Sequence, residues 1–279
     1  MRRWIVTLAL IIVLALVAGV GHFGLGWWQP SHSAVRETAG GFDSESKPAT
    51  LQEVLADAHR SLDEIEHNVR DYSAVIVQEE RIDTKLVKTV MFAKIREEPF
   101  SVYLYVLDRS DKSALKREVV YVQGKNDGKL IVHTPGLLGF FKMSLSPNSS
   151  LAREGQRYSI TDIGLANLCR QLIKRGETAG DPREVAVKRY RHARINTRAC
   201  TLVEIMYPVH DEPKNWGYLA RVFLDDELHF PIRVEVHELP ADRSKMPQLV
   251  EGYTYLDVKI NNGYTDADFD PKNPQYKFP

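Results

Sequence analysis

The sequence predicts an α+β fold: an N-terminal membrane helix, then a large curved antiparallel sheet covered by two helices. Three observations carry this. The run from Trp4 to Trp28 contains no Asp, Glu, Lys or Arg. Beyond Thr50, two stretches repeat apolar residues at helical spacing, and most of the rest is short β-branched and aromatic runs broken by turn formers. The connections between those runs are too short for repeated βαβ crossovers, which need a dozen or more residues each.

The chain has 279 residues, 37 Lys and Arg against 37 Asp and Glu, and 43% apolar residues. Disorder needs low hydrophobicity and high net charge, and this chain has neither. Two cysteines cannot staple a disulfide miniprotein, and 17 Gly with 14 Pro exclude a collagen-like repeat. There is no basic surplus to neutralise phosphates, so nucleic acid is not an expected partner.

As a helix, the 25 residues Trp4–Trp28 extend about 37 Å, enough to cross an apolar bilayer core of about 30 Å. Trp27 and Trp28 fall where an interfacial aromatic belt sits, and Arg2 and Arg3 favour a cytoplasmic N-terminus. The rest is then extracytoplasmic, anchored in the inner membrane with its domain in the periplasm or outside the cell. The alternative is a cleaved signal peptide and a secreted or periplasmic protein; Gly19 and Gly21 are small enough, but an A-x-A site is missing. Gln29–Ala49 reads as a flexible linker, because Pro30, Gly40, Gly41 and Pro48 interrupt every apolar pattern. The expected units are 1–28, 29–49 and 50–279.

Thr50-Leu51-Gln52-Glu53 is a capping box opening the first helix of the domain. Leu51, Val54, Leu55, Ala58, Leu62, Ile65 and Val69 follow at helical spacing, with Asp57, Arg60, Asp63, Glu64 and Arg70 opposite. Strands are expected at Ser73–Ile82, Leu86–Arg96, Phe100–Leu107 and Glu118–Gln123, then at Lys129–Thr134 after the Gly124–Gly128 turn. A second helix, Asp162 to Arg175, puts Ile163, Ala166, Cys169 and Ile173 towards one side and is stopped by Gly176. Strands resume at Glu184–His192, Cys200–Tyr207, Tyr218–Leu224, Ile232–Glu238 and Leu249–Ile260. In the last, Val250, Thr254, Leu256 and Val258 alternate with Glu251, Tyr253, Tyr255 and Asp257, which predicts one packed and one solvated face. The total is about nine to eleven strands. Sheets of that size curl or close, and a curled sheet plugged by helices can enclose an apolar cavity.

The order of elements resembles the Lol-type half-barrel of bacterial lipoprotein and lipid carriers. The residues that carry the likeness are Leu51–Tyr72 as a leading helix, Arg221-Val222-Phe223-Leu224-Asp225 followed by Phe230-Pro231-Ile232-Arg233, and Val258–Asn262 with Phe269 beyond. Phe230 stands where that family usually has Leu. Tyr158–Leu165 and Thr265–Pro274 resemble motifs of an uncharacterised bacterial envelope family, domain of unknown function 1571. The resemblance implies a LolA-like fold and an envelope location, and it implies no activity. Lol-type carriers are soluble or lipid-anchored, so a membrane helix is a departure.

Pro135–Leu145 crowds Leu137, Leu138, Phe140, Phe141, Met143 and Leu145 into eleven residues. It reads either as an apolar loop over a cavity, membrane or partner, or as one more strand, since Phe141, Met143 and Leu145 alternate with Lys142 and Ser144. Cys169 and Cys200 fit one disulfide in an exported domain, but free buried thiols are the commoner reading of such a pair. Asp266-x-Asp268-x-Asp270 begins like a calcium loop, but Pro271 and Lys277 stand where Gly and Glu are needed. Ser113-x-x-Lys116 lacks the companion motifs of serine enzymes, and the nine His show no zinc spacing. Lys188, Arg189, Arg191, Arg194 and Arg198 form a basic stretch that suits either anionic headgroups or a solvated sheet face. With no catalytic motif, metal or cofactor expected, the leading expectation is a membrane-tethered, non-catalytic binding protein for a lipid, acyl chain or lipoprotein anchor. The alternative is an envelope sensing or scaffold module that binds a protein partner.

Overall fold

The computed structural model describes residues 39–40, 45–135, 141–179, 181–207, 218–239 and 246–279. Its helices are α1 (Leu51–Asn68) and α2 (Leu165–Glu177). The strands are β1 (Ala39–Gly40), β2 (Ser46–Ala49), β3 (Asp71–Ile82), β4 (Lys85–Arg96), β5 (Ser101–Arg109), β6 (Glu118–Val122), β7 (Leu130–His133) and β8 (Lys142–Leu145). They continue as β9 (Ala186–Ile195), β10 (Arg198–Met206), β11 (Leu219–Asp225), β12 (Pro231–Glu238) and β13 (Gln248–Ile260). Among the described residues these form one open, thirteen-stranded sheet in the order β1-β9-β10-β11-β12-β13-β3-β4-β5-β6-β7-β8, with β2 also on β9. The pairings are antiparallel throughout. The Trp4–Trp28 segment lies outside the described residues, and among those residues no helix is long and apolar enough to cross a membrane.

The two helices lie on one face of the sheet, called inner here. The α1 capping box forms as its spacing requires: the Thr50 hydroxyl accepts from the Glu53 amide at 3.2 Å, and the Thr50 amide donates to the Glu53 carboxylate at 2.7 Å. The helix ends short of Tyr72, because the Tyr72 ring is fully buried from β3 and its hydroxyl accepts from the Leu165 amide at 2.7 Å. That amide opens α2 and would otherwise lack a partner. Gly176 does not stop α2 but lies inside it. A β-carbon there would meet Leu55 Cδ2 at 2.6 Å, so the glycine sets how closely the helices approach.

Two expectations need correction. The flexible linker 29–49 is not all free chain, since Ser46–Ala49 pairs with Tyr190–Val187 and Ala39–Gly40 with Ile195 and Arg194. These short strands satisfy backbone groups along the otherwise open edge of β9, and Pro48 is acceptable in such a position. They account for the excess over eleven strands. Alternation in β13, and likewise in β12 where Ile232, Val234 and Val236 alternate with Arg233, Glu235 and His237, also does not separate a packed from a solvated face. Glu251, Tyr255, Arg233 and Glu235 are all buried. On the outer face Arg233 donates to Glu235 Oε1 at 2.7 Å and to the Thr254 hydroxyl, with the Glu79 carboxylate 3.6 Å away. Buried polar groups persist when partnered in this way.

Beyond β13 the chain returns across the outer face. Asp71 fixes the turn by accepting from the amides of Asn262, Gly263 and Tyr264 at 2.6, 3.1 and 3.1 Å. Phe269 and Tyr276 then pack on Tyr103 and Val120, Tyr276 stacking on Tyr103 at 3.9 Å with ring planes 6° apart. The acidic triplet serves this docking: Asp266 pairs with Arg96 at 2.8 Å, Asp268 with Lys94 at 3.0 Å, and Asp270 accepts from the Lys272 amide at 2.8 Å. Among the described residues no cluster of His, Cys, Asp or Glu is arranged to hold a metal ion.

Candidate functional site

In an antiparallel sheet, residues directly opposite one another share a face. Val119 opposes Val132, which opposes Met143, while Leu130 opposes Leu145. These side chains, with Leu104, Met91 and Ile76 across the neighbouring strands, make an apolar wall on the inner face of β3 to β8. Tyr253 and Tyr255 of β13 close one side, Leu168 and Gln171 of α2 another, and residues 151–164 lie over the top. The cavity measures about 120 Å³. A void of about 40 Å³ lies between the two helices and β10 to β12, and an open groove of about 250 Å³ runs outside between the β6–β7 hairpin and the C-terminal tail.

The cover over the main cavity is held by a buried polar network. Glu251 on β13 accepts from the Tyr158 hydroxyl at 2.8 Å and pairs with Arg175 of α2 at 2.5 Å and Arg157 at 3.4 Å. Glu80 on β3 accepts from the Arg157 amide at 3.0 Å and from the Tyr253 hydroxyl. Burial first, then the Glu251 charge, pushes the Tyr158 phenol up to about 12; burial and then Glu80 push Tyr253 well above the ordinary tyrosine range. Both phenols therefore stay protonated and donate. At the α2 end, the Gly164 amide donates to the Tyr255 hydroxyl at 3.1 Å. Gly164 sits at φ +113°, where a β-carbon would meet the Tyr72 hydroxyl oxygen at 3.0 Å, so this position wants glycine on both counts. Ser159 and Asp162 cap the short turn between. The Tyr158–Leu165 motif is thus the cover and its fastening.

The cavity opens towards β8, where its lining is most exposed: Met143 is 43% and Leu151 52% exposed. Phe141, next to β8, is 68% exposed. Of the residues singled out in sequence, Leu137, Leu138 and Phe140 lie outside the described residues. Met143 and Leu145 lie in β8 and form part of the cavity wall. The thiols of Cys169 and Cys200 are free and buried rather than paired, and burial pushes both up to about 12. The Cys200 thiol lies 3.6 Å from the Arg198 carbonyl, to which it donates. Ser113 donates to Asp111 at 2.8 Å within a turn and takes no part in a site with Lys116. Sequence reasoning missed Tyr253, Tyr255 and Arg117. The usable signal was Tyr repeated at alternate positions beside Glu251, a pattern of amphipathic side chains that suits a partly polar wall.

A family model described as a protein of unknown function, DUF1571, matches residues 69–278. The chain belongs to the DUF1571 family. The matched span covers β3 to the C-terminal tail and takes in every strand of the cavity wall. No curated protein matches this DUF1571 chain. Among solved structures, the Mycobacterium tuberculosis lipoprotein LppX is 15% identical over 78% of this chain and 99% of its own, with a TM-score of 0.45. A putative outer membrane lipoprotein-sorting protein domain from Vibrio parahaemolyticus is 11% identical over 81% and 99%, at 0.38. MucB, in its complex with MucA from Pseudomonas aeruginosa, is 12% identical over 78% of this chain and 60% of its own, at 0.42.

Proposed function

We propose that this protein is a membrane-tethered, extracytoplasmic and non-catalytic binding protein whose inner cavity receives the apolar chain of a lipid, an acyl group or a lipoprotein anchor. The observation that carries the reading is the cavity itself: an apolar wall, a fastened polar cover, and an opening lined by exposed Met143 and Leu151. An apolar cavity of ~150 Å³ takes a six-carbon ring, so about 120 Å³ accommodates a comparable length of chain. At ~0.8 kcal/mol per methylene, six carbons gain about 5 kcal/mol. Association alone costs at least ~4 kcal/mol. The closed cavity therefore supports weak binding, and tight binding requires more chain to lie along the Met143–Leu151 opening or the cover to lift.

The Trp4–Trp28 segment supports the tether, and Arg2 and Arg3 its orientation. The test is to purify the chain natively and extract it for mass spectrometry. A near-stoichiometric lipid or acylated peptide supports the reading and identifies the chain. An empty protein that also fails to take up added fatty acid refutes it and favours a scaffold that binds a protein partner. Retention in the membrane through an alkaline carbonate wash, lost when residues 1–28 are deleted, tests the tether.

A further inference from the structure

The cavity wall carries one cation among its apolar side chains. Arg117 lies one residue before β6 and Thr134 one residue after β7, beyond the Glu118–His133 pair, and Arg117 lines the cavity beside Val119. Its Nε donates to the Thr134 hydroxyl at 3.2 Å. Among the described residues no carboxylate stands within 4 Å of its guanidinium. Neighbouring Arg109 does have a carboxylate, Asp111 at 2.9 Å, and it also donates to Thr89 and to the Gly155 carbonyl of the cover. Glu154 lines the same opening and, with Asp111, acts on Arg117 only through space. Hydroxyl and distant carboxylates leave a half-buried guanidinium undercompensated, and such a group holds a carboxylate or phosphate well because its donors form a planar fork.

We infer that the cavity selects an anionic amphiphile, its chain against Val119, Val132 and Leu145 and its charged head on Arg117. This rests on the acyl-chain reading above and adds the head. The geometry agrees: Arg117 stands at the exposed rim and the apolar wall runs inward from it, the polarity a single-chain amphiphile requires. Burial, and then repulsion from the Arg109 charge, press the Arg117 guanidinium below its ordinary value, as expected of a site short of negative charge.

The test uses the full chain in a non-ionic amphipol and three eight-carbon diazirine probes: a carboxylate, the matching alcohol and the matching alkyl phosphate. Photo-crosslinks are localised by peptide mass spectrometry and followed against probe concentration. In the unmodified protein the carboxylate or phosphate half-saturates cavity peptides at roughly tenfold lower concentration than the alcohol, the scale of one charge-assisted hydrogen bond. Whichever anion leads separates a fatty-acid from a phospholipid-type head. Arg117→Gln brings the half-saturation of anion and alcohol together, and Arg117→Lys retains part of the preference. Equal half-saturation of anion and alcohol in the unmodified protein, or a preference that survives Arg117→Gln, overturns the anionic head while leaving the chain site standing. Failure of all three probes to label the cavity overturns the chain site as well.

Discussion

Replacing Glu251 by Gln tests whether the buried network fastens the cover. The glutamine keeps the shape and removes the charge on which Arg175, Arg157 and Tyr158 converge at 2.5, 3.4 and 2.8 Å. Side-chain exposure is 4% for Glu251 and 18% for Arg175, so the pair is nearly dry. Breaking a buried pair by removing one partner costs about 3–5 kcal/mol. Arg175 retains the Tyr158 hydroxyl at 2.6 Å and some water, which places the loss near the lower end, about 3 kcal/mol. For a domain of this size each kcal/mol moves the melting temperature by roughly 2–4 °C, so E251Q should melt about 6–12 °C lower. Tyr158→Phe removes both the hydrogen bond donated to Glu251 and the one accepted from Arg175, and should cost about 1.5–3 kcal/mol. Because both changes strike the same node, the double variant should lose less than the sum, by about 1 kcal/mol. Thermal unfolding gives the energies, and hydrogen exchange of residues 151–158 should accelerate before the strands do. A loss under about 1 kcal/mol for E251Q, with an additive double variant, would refute the idea that this network holds the cover.

Further outcomes follow from the same structure. Gly176→Ala puts a β-carbon 2.6 Å from Leu55 Cδ2, so overpacking outweighs the ~1 kcal/mol helix-propensity gain and the variant loses about 1 kcal/mol in urea unfolding. Adding Leu55→Ala should recover the overpacking term, and a Gly176→Ala protein more stable than its parent would contradict the close contact. Burial raises Glu97 from 4.5 to about 7, and its Oε1 is buried without a hydrogen-bond partner. A carboxyl raised in the folded state contributes stability that is full below pH ~4.5 and lost as pH rises through ~7. Glu97→Gln should therefore flatten urea-measured stability between pH 4.5 and 7 and raise it at pH 8 by up to roughly 3 kcal/mol; an unchanged profile would exclude that role. Cys169 and Cys200, buried and held near 12, should react with a thiol reagent only after denaturation, and rapid labelling of the native protein would contradict their burial.

Local elements were legible because their causes are local. The α1 start needs only Thr50 and Glu53, and most strands were bounded by turn residues next to them. What could not be read depends on residues far apart in the chain. Nothing near Gly176 says that Leu55 lies against it, so a glycine in a helix looked like a stop. Tyr253 and Tyr255 carry both an apolar ring and a hydroxyl, and only the amide of Gly164 and the carboxylate of Glu80 reveal why they turn inwards. Ser46–Ala49 looked unstructured because its order comes entirely from β9. Arg117 has no local pattern at all; its place in the wall follows from the register of β6 on β7.

The position of β13 has a consequence for biogenesis. It follows the other twelve described strands in sequence, yet it sits mid-sheet between β12 and β3, and it supplies Tyr253 and Tyr255 to the cavity and Glu251 to the network that fastens its cover. Until it arrives, the edge of β3 that β13 covers, Tyr72–Glu80, is left with its outward amides and carbonyls unpaired, an invitation to aggregation or proteolysis. Pairing across nearly the whole domain is also slow, because the loop it closes is long. A chain that stalls before Gln248 therefore lacks the strand that closes one side of the cavity and the carboxylate that fastens its cover.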